Sequence, residues 1–429
     1  MQSMMVTLRD KRAKALRRLT VDDLQGPCAM RTAFVDSADA ECYLMTSQIL
    51  GTGSFGAVSL VRDQRTGDIR ALKTVKRRGS WDQDRLQMEA RILQNLDHPH
   101  ILRIFSWMQK GDSVNIFTEV STGGELLKVV LRARCNCERV PEDWAVTGFR
   151  QTFEALAYLH GKGLVHKDLK GDNLLLLKST AGPSGEAFFR LPHVVVCDLG
   201  LAEVCHKEKD GYRAAYAAGT PSTMAPEVWQ GSFGTSCDIW SMGCILYEFF
   251  SEFRPFCCET GYSLRVPTKV LKRGPRWCYF EGSRQAKLLC QDLLAFEESH
   301  RPTAAECLAK GWFKRAMSGA TIGEIMRLCN SVQQSLQRNP IQRAFCLMLA
   351  AGCTSLMPIA AVFSILNTDN SGTLNVSEIV AALLALGVDQ VAAEKTARAL
   401  DVNSHGICEY LEFAAAALPS QEREFQEML

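Results

Sequence analysis

His166-Lys167-Asp168-Leu169-Lys170-Gly171-Asp172-Asn173 is the stretch that decides this fold, and Asp198-Leu199-Gly200 completes it 25 residues after Asn173. These side chains form a set suited to phosphoryl transfer. Asp168 can orient a hydroxyl and accept its proton, Lys170 can neutralise a terminal phosphate, and Asn173 and Asp198 can offer oxygens to Mg²⁺. Upstream, Gly51-Thr52-Gly53-Ser54-Phe55-Gly56, followed by Val58, is a glycine-rich turn whose backbone N–H groups can approach phosphate without Cβ obstruction. A dinucleotide fingerprint shares this spacing but opens a helix, whereas Ala57 to Val61 continues as a strand; a plain hairpin is the alternative. Lys73 follows in the strand Ala71-Leu72-Lys73. Glu89 stands sixteen residues later on a helix expected over Asp82 to Leu96, where its carboxylate can hold the ammonium that grips α- and β-phosphates.

Outward from these motifs the chain divides. Short strand-like runs, Leu44 to Leu50, Ala57 to Arg62 and Ile69 to Val75, precede helical periodicity in Pro141 to His160, Ile239 to Phe250 and Arg284 to Ala295. Apolar strands at Leu174 to Leu177 and Val194 to Cys197 interrupt the helices. A small β-rich lobe therefore precedes a larger helical one. At 429 residues there is room for two or three domains; 47% hydrophobic and 22% charged residues exclude wholesale disorder, and a net charge of +2 excludes nucleic-acid binding by sheer basicity.

The charge is uneven. Residues 1–20 hold six basic side chains beside Asp10, with Arg9 to Leu19 read as a solvated arm in preference to a peripheral membrane contact; residues 354–429 hold ten acidic and three basic ones. Gln2 gives no myristoylation signal, no signal peptide is expected, and seventeen irregularly spaced cysteines fit a reducing, cytoplasmic setting without zinc. Ala344 to Leu366 carries no charge, but Gly352, Thr354, Ser355 and Pro358 break it before it reads as a membrane span.

Taken together, these motifs resemble the eukaryotic protein kinase family over about residues 43–313. Ala225-Pro226-Glu227 after Gly219-Thr220, Asp238-Ile239-Trp240 and His300-Arg301-Pro302 extend the match, the last by an arginine that would pair with Glu227. Lys170 and Thr220 have the serine/threonine form. The resemblance implies ATP with the adenine against Glu119 and Val120, Thr118 before a back pocket, Glu125 at the ribose, and Leu50, Val58, Ala71 and Leu175 around the nucleotide. Glu125 and Asp172 would also meet a basic residue upstream of the phosphoacceptor in a protein substrate. Two departures stand out. Leu199 replaces the usual phenylalanine, a packing exchange, and Lys167 replaces an arginine that clamps a phosphorylated loop; residues 202–218 contain no Ser or Thr. Control is therefore expected elsewhere in the chain.

That elsewhere is acidic. Asn367, Asp369, Ser371, Thr373 and Glu378, with Gly372 at the sixth place, fit a twelve-residue calcium loop; 34 residues later Asp401, Asn403, His405, Ile407 and Glu412, with Gly406, repeat it. His405 is a poor ligand for a hard cation. Leu374 and Cys408 would face each other in the ladder between the loops. The order of parts resembles the calcium-dependent protein kinases of plants and protists, although this chain has one pair of loops where that family has two and lacks a strongly basic pseudosubstrate stretch. The expected architecture is α+β: residues 1–42 a basic extension, 43–313 a bilobal kinase fold, 314–353 a helical connector, 354–418 an all-α EF-hand pair, and 419–429 a tail. The expected activity is Ca²⁺-gated, ATP- and Mg²⁺-dependent phosphorylation of Ser/Thr by a monomer. A Ca²⁺-independent kinase with a structural brace, and a non-enzymatic Ca²⁺-responsive scaffold, are the alternatives.

Overall fold

The computed structural model describes residues 33–34, 42–53, 56–64, 67–76, 96–110, 113–182, 188, 190–199, 203–204, 206–208, 211–213, 219–231, 233–256, 266–316, 321–335, 337–338, 340–352, 357–401 and 406–418. The basic arm, Ser54, Phe55, the helix expected around Glu89, Asn403, His405 and the tail after 418 lie outside them.

The first lobe is a six-stranded sheet in the order β1-β5-β6-β4-β3-β2, built from β1 (Ala33–Phe34), β2 (Tyr43–Gly53), β3 (Gly56–Asp63), β4 (Ile69–Lys76), β5 (Ile104–Lys110) and β6 (Ser113–Thr118). β1 joins β5 in parallel; the other pairs are antiparallel. Register matters here. Val58 pairs with Lys73 and Ala71 with Thr118, so alternation along β4 puts Ala71 and Lys73 on one face. Val61, Leu72, Met108 and Phe117 bury the opposite side, with Tyr43 stacked on Phe117.

The second lobe is helical. After β7 (Gly124–Glu125) come α1 (Leu126–Cys135) and α2 (Glu142–Gly161), whose Phe149, Phe153 and Leu156 share a buried stripe at helical spacing. β8 (Leu164–Val165), β9 (Leu174–Leu176) and β10 (Val194–Val196) follow; β9 lies between β10 and β7, which sets Glu125 opposite Leu175. β11 (Glu203–Val204) pairs with β8, and β12 (His206–Glu208) with β13 (Gly211–Arg213). The lobe closes with α3 (Ser236–Ser251), α4 (Thr268–Arg273), α5 (Arg284–Leu293) and α6 (Ala304–Leu308) around Trp240, Phe249 and Trp312.

A second apolar core belongs to the C-terminal helices: α7 (Ile322–Ser335), α8 (Pro340–Gly352), α9 (Met357–Leu366), α10 (Val376–Ala385), α11 (Gln390–Leu400) and α12 (Tyr410–Ala417). Between them, β14 (Leu374–Asn375) and β15 (Ile407–Cys408) form a two-residue antiparallel ladder in which Leu374 faces Cys408. The uncharged run from Ala344 to Leu366 is divided between α8 and α9, and among the described residues no helix is long and apolar enough to cross a membrane.

Candidate active site

A buried carboxylate holds the turn that leads into Asp168. Asp238, fully buried near the start of α3, accepts hydrogen bonds from the N–H groups of His166 and Lys167 and from His160 Nε2, each at 2.9 Å. Burial opposes its ionisation, yet these donors hold its carboxyl below the usual range. Lys167 can thus keep φ at +69°, a left-handed value uncommon away from glycine. Gly219 presses on the same turn; a Cβ there would meet the Lys167 carbonyl at 2.6 Å, so only glycine lets the next residue approach.

That next residue is Thr220, and its hydroxyl donates to Asp168 Oδ1 at 2.6 Å. Lys170 Nζ donates to Asp168 Oδ2 at 2.8 Å and lies 3.3 Å from Thr220 Oγ1. Asn173 Nδ2 donates to the Asp168 carbonyl at 2.7 Å, which commits the amide nitrogen and leaves its oxygen for a cation. Asp198 carries a positive φ of 62° and is bonded by Lys73. Burial works against that carboxylate, but Lys73 holds it below its ordinary range. Lys73, Asp168, Lys170, Asn173 and Asp198 therefore gather at one site; Glu89 lies outside the described residues, among which Asp198 bonds Lys73.

Around them, Gly53 pairs with Gly56 across the glycine-rich turn, and space beside Gly51 is open. Thr118 and Glu119 are buried where β6 leaves the first lobe, and the Glu119 side chain turns back to accept the Arg103 N–H at 2.8 Å. Glu125 is bound by Lys128 at 2.7 Å; burial and then Asp172 push its carboxyl up, against the pull of Lys128. Below the site, Arg301 binds both oxygens of Glu227, at 2.6 and 2.9 Å.

The C-terminal loops show the same economy. Gly372 and Gly406, at the sixth place of each, have φ of +79° and +83°. In the first loop Glu378 Oε1 accepts from Thr368 N–H, Thr368 Oγ1 and Asp369 N–H at 2.7, 2.8 and 3.0 Å, and its Oε2 accepts from Asn375 N–H at 3.0 Å. In the second, Asp401 Oδ2 accepts the Gly406 N–H at 2.6 Å and Glu412 Oε2 the Glu409 N–H at 2.9 Å. Among the described residues no His, Cys, Asp and Glu side chains cluster as a preformed metal site. The donor set of the first loop, Asn367, Asp369, Ser371, the Thr373 carbonyl and Glu378, is all oxygen and fits a hard cation once Glu378 leaves its backbone donors.

Sequence reasoning found these side chains but missed α1 and the contacts of Asp97, Arg103, Glu154 and Tyr158, none of which sits in a motif.

Residues 44–313 match the protein kinase domain model. The chain belongs to the protein kinase family. Along 87% of its length it is 30% identical to calcium-dependent protein kinase 6 of Plasmodium berghei, of which it covers 24%, and 28% identical to calcium-dependent protein kinase 9 of Oryza sativa, of which it covers 64%. Over 65% of its length it is 31% identical to the ovarian-specific serine/threonine-protein kinase Lok of Drosophila melanogaster, of which it covers 58%. The chain thus spans about a quarter to two thirds of these relatives.

Proposed function

We propose that this protein transfers the terminal phosphoryl group of ATP to Ser or Thr hydroxyls of proteins, under control of Ca²⁺ bound to its paired C-terminal EF-hand loops. The observation that carries the reading is Asp168, with one carboxylate oxygen on Thr220 and the other on Lys170. A substrate hydroxyl replacing Thr220 at Oδ1 would find an acceptor for its proton, while Lys170 faces the charge that develops on the phosphoryl oxygens. Lys73 would orient α- and β-phosphates over the turn from Gly51 to Gly56. Asn173 and Asp198 would hold Mg²⁺, which when bound neutralises charge between phosphates. Glu125 and Asp172 would receive a basic residue upstream of the acceptor, displacing Lys128.

The calcium arm draws support from loop geometry and from the names of the relatives. Ca²⁺ would compete with the backbone N–H groups of Thr368, Asp369 and Asn375 for Glu378, and with that of Glu409 for Glu412. Two imperfect loops shift a two-state equilibrium by only a few kcal/mol, so basal activity in chelator should be partial. Phosphate transfer to an Arg-x-x-Ser peptide at saturating Mg-ATP, with Asp168→Asn as blank, tests both arms. Activity that rises with Ca²⁺ and vanishes in the blank is expected. Equal activity in chelator would favour a kinase with a fixed C-terminal brace, a reading favoured by the direct contacts of those helices with the catalytic lobes. No transfer to this or other peptides would favour a scaffold.

A further inference from the structure

The catalytic lobes and the C-terminal helices have separate apolar cores, and a few polar contacts join them. Asp97 Oδ2 accepts the Leu411 N–H at 2.7 Å in the first turn of α12, and Ser364 on α9 donates to Glu154 Oε2 at 3.0 Å. Gly372 lies so close to Tyr158 that a Cβ would meet its ring at 2.5 Å. A cleft of about 280 Å³, lined among others by Gln151, Glu154, Ala361 and Ser364, opens to solvent between α2 and α9. The C-terminal helices are seated on the lobes, not fused with them.

One contact reaches further. Arg103 Nη1 donates at 2.9 Å to the Ala350 carbonyl, in the last turn of α8, where carbonyls lack partners within the helix and the helix dipole favours a cation. The backbone of the same residue is bonded to Glu119 in both directions: its N–H donates to Glu119 Oε1 at 2.8 Å, and its carbonyl accepts the Glu119 N–H at 3.0 Å. Burial raises the Glu119 carboxyl, and the Arg103 charge opposes that rise. A single residue thus holds the C-terminal helices by its side chain and the segment Thr118–Val120 by its backbone.

We propose that Arg103 is a positioning residue that transmits the seating of α8 to the nucleotide-binding segment Thr118–Val120, so that nucleotide affinity depends on the docked C-terminal helices. The inference rests on the reading of that segment as the adenine-binding one. Linkage makes it reciprocal: bound nucleotide tightens the seat by the same factor.

The test uses the full chain as wild type, Arg103→Ala, Arg103→Lys and Asp97→Ala, with the KM for Mg-ATP, kcat on a fixed peptide and the Kd for Mg-ADP by calorimetry, each with and without Ca²⁺. Arg103→Ala should raise KM and Kd about 5- to 20-fold with kcat within about twofold, and Arg103→Lys should restore most of the loss. Asp97→Ala, which loosens the far end of the seat without touching Arg103, should shift both constants the same way by a smaller factor. Nucleotide constants within twofold of wild type in folded Arg103→Ala would overturn the proposal, as would a large effect there with none in Asp97→Ala. Should Arg103→Ala not fold, as its unliganded thermal midpoint would show, Arg103→Lys and Asp97→Ala decide alone. The calcium reading is tested separately: constants that shift as expected while Ca²⁺ changes no rate would leave this inference standing and remove the gate, and a Ca²⁺ response with unmoved constants would do the reverse.

Discussion

Asp238 in the catalytic lobe and Glu378 in the first C-terminal loop are wired alike. Each carboxylate collects backbone N–H groups from a tight turn: His166 and Lys167 for the one, Thr368, Asp369 and Asn375 for the other. Their surroundings differ. Asp238, in the first turn of α3, has no exposure, so solvent does not compete for its donors. Glu378, itself buried, lies under a loop whose Thr368, Asp369 and Ser371 are exposed, so on the proposed calcium reading a cation would take the carboxylate and the turn would rearrange. The same hydrogen-bond pattern braces one turn deep in a core and ties another beneath an exposed loop.

Three changes would break or sharpen this contrast. The largest effect belongs to the braced side: Asp168→Asn keeps the geometry but removes the proton acceptor and should lower transfer by about 10²- to 10⁴-fold, read as peptide phosphorylation with the nucleotide Kd unchanged. A loss under tenfold would mean that Asp168 only orients the hydroxyl. Next, Arg301→Ala leaves Glu227 buried and uncompensated and should cost about 3–5 kcal/mol in denaturant unfolding, with Glu227→Gln on the same chain recovering part of it. A cost below about 1 kcal/mol would show that this pair braces nothing.

The smallest effect lies on the side of the C-terminal loops. Burial pushes the Glu412 carboxyl up to about 7, against the pull of the Glu409 N–H. A carboxyl raised in the folded state favours folding below its unfolded value, near 4.5, and that contribution is lost as pH climbs through 7. In chelator, Glu412→Gln should therefore gain stability relative to wild type between pH 5 and 8, by at most about 3 kcal/mol. Parallel thermal-midpoint curves for the two proteins would show that folding does not raise the Glu412 carboxyl. Comparing the variant with wild type is essential, because buried His98, whose imidazole burial lowers to about 3, and His193, lowered to about 4, titrate with the opposite sign at the acid end.

The amino-acid sequence by itself determined the kinase fold and the candidate side chains for phosphoryl transfer, because such a site needs particular groups in a set order: Lys73, Asp168, Lys170, Asn173 and Asp198 appear in that order, and the structure brings them together. The ladder opposing Leu374 and Cys408 was legible for the same reason, since a calcium loop fixes its own register. Only the tertiary structure decided where the C-terminal helices sit. Asp97, Arg103, Glu154 and Tyr158, the last two one turn apart on α2, meet partners 210 to 314 residues away. Contacts at such separations leave no local period or motif, because each depends on two surfaces, distant along the chain, matching in shape and hydrogen-bonding groups.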